Sequence, residues 1–131
     1  MANARSRNEL KDSGKRRSFG SGAVRDTADG KGRFVLVPHF GIKAIALQME
    51  RGARKYSARN WENGMPLSAF LDSAERHLSL FKAGFDDEPH LDAALWNMAC
   101  LAEGRERIRR GLWPAKFDDL PKTYAGMAPE E

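Results

Sequence analysis

Apolar positions recur at three- and four-residue spacing through most of the chain after Pro38, which predicts helices rather than strands. Ile42, Ile45, Met49, Ala53 and Tyr56 mark one stripe, so a first helix is expected from about Pro38 to Tyr56 or Ser57. "SARNWENGMP" then breaks the pattern with Asn-Gly and Pro66. Leu67, Phe70, Leu71, Ala74, Leu78 and Phe81 mark a second helix, which Gly84 closes as a C-terminal glycine does. The acidic link "FDDEP" ends in Pro89, a residue suited to the first turn of a third helix. That helix carries Leu91, Ala94, Leu95, Met98, Leu101 and Ala102, with Trp96 and Ala99 making it apolar almost all round, so a central, buried helix is expected.

Beyond Glu103 the pattern turns polar and basic until Gly111. "LWPAKFDDLP" is broken by prolines and is expected to wrap back onto the helices through Leu112, Trp113 and Phe117. Short links imply antiparallel neighbours, so the fold class is all-α: a small antiparallel helical bundle. "FVLVP" before it is a short apolar run with no partner strand, expected as an extended segment packed against helices. "GAVRDTADGKGRF" reads as loop.

Composition changes this picture mainly at the front. The chain has 131 residues, the size of one domain, and 41% hydrophobic residues, enough for a core. The net charge of +4 is unevenly spread. Arg5, Arg7, Lys11, Lys15, Arg16 and Arg17 crowd a Ser/Gly-rich stretch with few apolar residues, expected to be a flexible basic arm over 1–21. Such an arm can touch nucleic acid, but a solvated tail is the plainer reading. The bundle domain is then expected over 22–121, with a tail over 122–131. The single cysteine, Cys100, cannot form an internal disulfide, which fits a reducing cytoplasm, and it reads as a small core residue rather than a nucleophile. No apolar run approaches membrane-spanning length and no signal-peptide core is present, so no membrane partner is expected.

Three constellations carry candidate chemistry. Asp72, Glu75 and Arg76 share a helix face, and two carboxylates so spaced can grip a hard divalent cation that keeps phosphates as further ligands. The same spacing is that of an exposed face with an Asp72–Arg76 ion pair. His90 and Asn97 lie two turns apart beside small Ala93 and Ala94. They are either ligand-facing groups or, respectively, a helix-start residue and a buried amide that needs a partner. Lys55, Tyr56, Arg59, Asn60 and Trp61 combine cations for phosphate, rings for stacking and an amide for base edges. Tyr56 can equally finish the apolar stripe, and Trp61 can equally anchor the loop.

Taken in order, "GAVRD…GKGRFVLVP", "ERGARKYSARNW", "FLDSAERHL" and "HLDAALWNMACLAE" resemble the phage dATP/dGTP diphosphohydrolase family, a MazG-like branch of the all-α nucleoside triphosphate pyrophosphohydrolases. The resemblance covers roughly Gly22 to Pro121. It implies hydrolysis of dGTP and dATP to the monophosphate and pyrophosphate, in phages that carry 2-aminoadenine in their DNA. It implies a Mg2+ or Mn2+ cofactor and a homo-oligomer, a dimer or tetramer. Asp72-x-x-Glu75 stands where the superfamily has its first acidic motif. At the second, His90 occupies the Glu position and Ala93 the Asp position, with Asp86, Asp87 and Glu88 nearby as oxygen donors. The site so implied has Asp72, Glu75, Asp87 and His90 on the metal and Asp72, Glu75, Arg76 and His77 in catalysis. Lys55, Tyr56, Arg59, Asn60, Trp61 and Asn97 hold the substrate. The rival class is a non-enzymatic helical module that binds nucleic acid or nucleotides, which has no need of the acidic and His residues between Phe70 and Asn97.

Overall fold

The structure is a computed structural model that describes residues 8–130. Arg5 and Arg7 of the basic arm and Glu131 of the tail lie outside the described residues. The chain divides at Val37 and Pro38 into two compact units.

In the first unit, the stretch expected as arm and loop carries a two-stranded antiparallel hairpin, β1 (Arg16–Ser18) and β2 (Val24–Asp26). Arg16 stands opposite Asp26 and Ser18 opposite Val24. Apolar alternation, the usual strand signal, is missing here. Backbone pairing and local side-chain bonds hold the ribbon instead. Asp12 accepts two hydrogen bonds from Arg16, at 2.7 and 2.8 Å, and this keeps the Asp12 carboxyl well below the usual carboxylate range. Phe34–Leu36 form a 3-10 turn, where an extended segment was expected from "FVLVP".

The second unit is the all-α bundle of three helices expected from the periodicity: α1 (His39–Lys55), α2 (Leu67–Ala83) and α3 (His90–Arg109). α3 packs along both α1 and α2. Gly84 ends α2 in the left-handed region at φ 89°, a conformation that costs a glycine little, and its N–H caps the helix on Leu80 and Phe81. The link 85–89 is short, so α2 and α3 run as an antiparallel pair.

The core centres on Phe70, Cys100 and Trp113, with Met49, Trp61, Met65, Trp96 and Phe117 packed around them. α3 buries His90, Ala93, Ala94, Asn97, Cys100 and Gly104. Its opposite face, Leu91, Leu95 and Met98, is exposed, which corrects the expectation of burial all round. The physical reason is geometric: two neighbouring helices cannot cover the full circumference of a third. The stripes of the other helices shift likewise. On α1 the half-buried face includes Ala44, Ile45, Gln48 and Met49, while Ile42 and Ala53 are exposed. On α2, Leu78 and Phe81 are exposed and His77 is half-buried.

The segment after α3 wraps back as expected, through Trp113 and Phe117. Leu112 does not take part, being 67% exposed. Asp119 accepts a hydrogen bond from the Ser68 N–H at 2.9 Å and another from the Ser68 hydroxyl, so the returning chain caps the start of α2. Burial first, and the Glu103 charge second, push the Cys100 thiol up to about 12. Iodoacetamide at pH 8 should therefore leave Cys100 unmodified in the folded protein and alkylate it fully in denaturant, as read by mass spectrometry. Stoichiometric labelling of the folded chain would contradict this burial.

Among the described residues, no helix is long and apolar enough to cross a membrane.

Candidate functional site

The C-terminal half of α1, the connection to α2, the inner face of α2 and the start of α3 enclose a cavity of about 590 Å³. Its apolar wall includes Met49, Phe70 and Trp96. Trp96 is fixed by donating its indole N–H to the Met49 sulfur at 2.9 Å. The volume is in the range of small-molecule sites.

One end of the cavity is built by the α2–α3 turn. His77 sits seven residues before the helix-ending Gly84, and His90 opens α3 just after Pro89. The short link therefore lays the two rings against each other, with Nδ1 of His77 2.9 Å from Nδ1 of His90. The His90 Nε2 lies 2.8 Å from Asp87 Oδ1. Glu88 joins the two histidines in a group whose potential ligand atoms all lie within 4.8 Å of one another. Desolvation, followed by the neighbouring His90, lowers the His77 pKa, and the hydrogen bond from His90 lowers that of Asp87. A neutral His77 at neutral pH leaves a nitrogen lone pair available to a cation. Two imidazoles and a carboxylate make a donor set that can coordinate a divalent metal.

The far wall comes from the end of α1 and the loop beyond it: Lys55, Tyr56, Arg59, Asn60 and Trp61. Arg59 adopts a left-handed backbone at φ 62° and pairs with Glu62 at 2.9 Å. The guanidinium of Arg107 lies 4.8 Å from the Trp61 ring centroid, a cation–π contact that fixes the indole at the cavity wall. Trp113 holds the same loop by donating its indole N–H to the Glu62 carbonyl at 3.1 Å.

The structure thus brings together Lys55, Tyr56, Arg59, Asn60, Trp61, Arg76, His77 and Asn97 on one cavity. Asn97 is 6% exposed and donates to the Ala93 carbonyl at 2.8 Å, satisfying part of its amide. His90 stands behind His77, and Asp87 touches His90 from outside. Asp72 and Glu75 are exposed and are not among the lining residues; the Asp72 carboxylate pairs with Arg76 at 3.3 Å and its side chain is 83% exposed. Asp92 forms an ion pair with Arg51 of α1 at 3.1 Å. The apolar wall was not legible as such: Met49 and Phe70 were members of helical stripes, and Trp96 was one of the residues that made α3 apolar almost all round. Nor was Arg107, which looked like one charge in a basic run.

The chain matches no curated protein and no solved structure. A family model aligns with it over residues 21–110, so that most of the bundle and every residue of the cavity fall inside the match. By that match the chain belongs to the family described as dATP/dGTP diphosphohydrolase, N-terminal.

Proposed function

We propose that the chain hydrolyses deoxynucleoside triphosphates, dGTP and dATP, to the monophosphate and pyrophosphate with the help of a divalent metal. The observation that carries this reading is a single cavity with cations and aromatic rings at one end and, at the other, His77 and Glu88, which together with His90 behind them form a group able to hold a cation. The donor set fits the implied ion. Imidazole nitrogens beside a carboxylate suit Mn2+ better than Mg2+, which prefers an all-oxygen shell. A divalent ion held there supplies Lewis acidity to the phosphate oxygens.

The chain's own residues have the remaining work. Lys55, Arg59 and Arg76 neutralise phosphate charge, which phosphoryl chemistry needs more than covalent catalysis. Tyr56 and Trp61 offer faces for the base, and Asn60 and Asn97 offer amides for its edges. Met49, Phe70 and Trp96 keep water from the buried side. We place the activity in phage nucleotide metabolism that supports 2-aminoadenine DNA, on the strength of the family resemblance. The exposed apolar face of α3, Leu91, Leu95 and Met98, supports a homo-oligomer, a dimer or tetramer. A sedimenting monomer at micromolar concentration rules that assembly out.

The direct test is pyrophosphate release from dGTP with Mn2+, with and without chelator. Release that the chelator abolishes is expected. No release from dGTP or dATP under any metal sinks the proposal and leaves a nucleotide-binding module. A companion test addresses the base. Trp61→Ala should raise KM about tenfold with little change in kcat, because base–aromatic stacking contributes about 1–3 kcal/mol and holds ground and transition states alike. An unchanged KM would reduce Trp61 to a loop anchor.

A further inference from the structure

His90 is the imidazole of the ion-binding group that the fold buries, with 1% of its side chain exposed. Its two nitrogens have different partners. Nε2 lies 2.8 Å from Asp87 Oδ1, and Nδ1 lies 2.9 Å from His77 Nδ1. An ionised carboxylate can only accept, so the hydrogen of the first contact belongs to Nε2. A neutral imidazole carries one N–H, which leaves the Nδ1 lone pair of His90 facing His77. With His90 in that form, the 2.9 Å contact of the ion-free ring pair requires the hydrogen to come from His77 Nδ1. With the proton of His77 moved to Nε2, two bare nitrogens face each other. Their separation is close to the roughly 3.0 Å expected between adjacent donors about 2.1 Å from one octahedral ion. Glu88, next to Asp87 in the chain, has a carboxylate oxygen within 4.8 Å of a ring nitrogen of each histidine.

We infer that Asp87 is a positioning residue: it holds buried His90 as the Nε2–H tautomer and so makes Nδ1 the ligand atom that His90 shares with His77 and Glu88 toward a divalent ion. This inference rests on the reading of that group as an ion site. It moves Asp87 from the ligand role that the family resemblance implied to the carboxylate–imidazole support that orients metal-bound histidines. The link explains why Asp87 can do this. Gly84 ends α2 and Pro89 starts α3, so the residue three before His90 is held beside its outer ring edge.

The test uses the full chain and Co2+ alone as probe. Long-range 1H–15N NMR of the metal-free wild type should show the His90 proton on Nε2. Titration followed by Co2+ visible absorption should show Asp87→Ala binding about 10- to 100-fold more weakly than wild type. Asp87→Asn should stay closer to wild type, because its amide oxygen still accepts from Nε2–H. A wild-type His90 with its proton on Nδ1 overturns the assignment while leaving the ion site standing. So does Co2+ affinity in Asp87→Ala equal to that of wild type. The wild-type tautomer decides the matter even if the alanine variant fails to fold. Absence of Co2+ binding by the wild type overturns the ion site itself, and the inference with it.

Discussion

His90→Ala is expected to abolish divalent-ion binding and to lower pyrophosphate release from dGTP by at least about a hundredfold. The size follows from the chemistry, since a metal that polarises phosphate oxygens supplies several kcal/mol of transition-state stabilisation. The geometry places the loss on this residue. His90 is the buried member of the group, held by Asp87 on one nitrogen and facing His77 with the other. On the proposed ion site, its removal takes away one ligand and leaves His77 without its ring partner. His90→Asn keeps a polar group in the same space, so a loss shared by both variants is not a consequence of an empty cavity. Calorimetric titration with Mn2+ and the pyrophosphate assay read the two effects separately. Asp72→Ala and Glu75→Ala make the discriminating comparison. If they carry the loss and His90→Ala does not, the ion sits on the exposed face of α2 and not at the turn.

Trp113→Ala should produce the largest loss of stability, about 3–5 kcal/mol. The ring is 5% exposed and stacks on Phe70 at 6.3 Å, with Phe117 packed edge-on. Two glycines make room for it. A Cβ on Gly104 would stand 2.5 Å from the Trp113 ring, and one on Gly64 would stand 3.2 Å from it and 2.9 Å from Phe117. Removing the indole therefore leaves a void that neither glycine can fill, and it also deletes the bond to the Glu62 carbonyl. Thermal melts should fall by more than about 10 °C. Gly104→Ala tests the same contact from the other side, with an overpacking cost of about 1–3 kcal/mol. A Trp113→Ala chain that melts with the parent would mean the segment after α3 is not part of the core. On the proposed function, the same variant should also weaken dGTP binding, because the loop that carries Trp61 loses its hydrogen bond to the Trp113 indole.

The elements of the bundle were legible because their signals are local. Pro38, Pro66 and Pro89 start the three helices, Gly84 closes the second, and the Phe70 and Ala74 stripe names its inner face. The residue types of the cavity were legible too, since Lys55, Tyr56, Arg59, Asn60 and Trp61 lie within one short stretch. The hairpin was not, because short polar strands carry no apolar alternation to reveal them. What periodicity cannot supply is the relative phase of two helices after a link. That phase alone sets His77 against His90, turns Asp72 and Glu75 to solvent, and lets Arg51 of α1 take up Asp92. It also decides which half of the apolar α3 is buried, since the number of covering neighbours is a property of the bundle. The sequence by itself thus determined the helices, their order and the kinds of side chain available for nucleotide chemistry. The tertiary structure decided which of those side chains meet, because contacts between residues far apart in the chain depend on packing angles that no local pattern encodes.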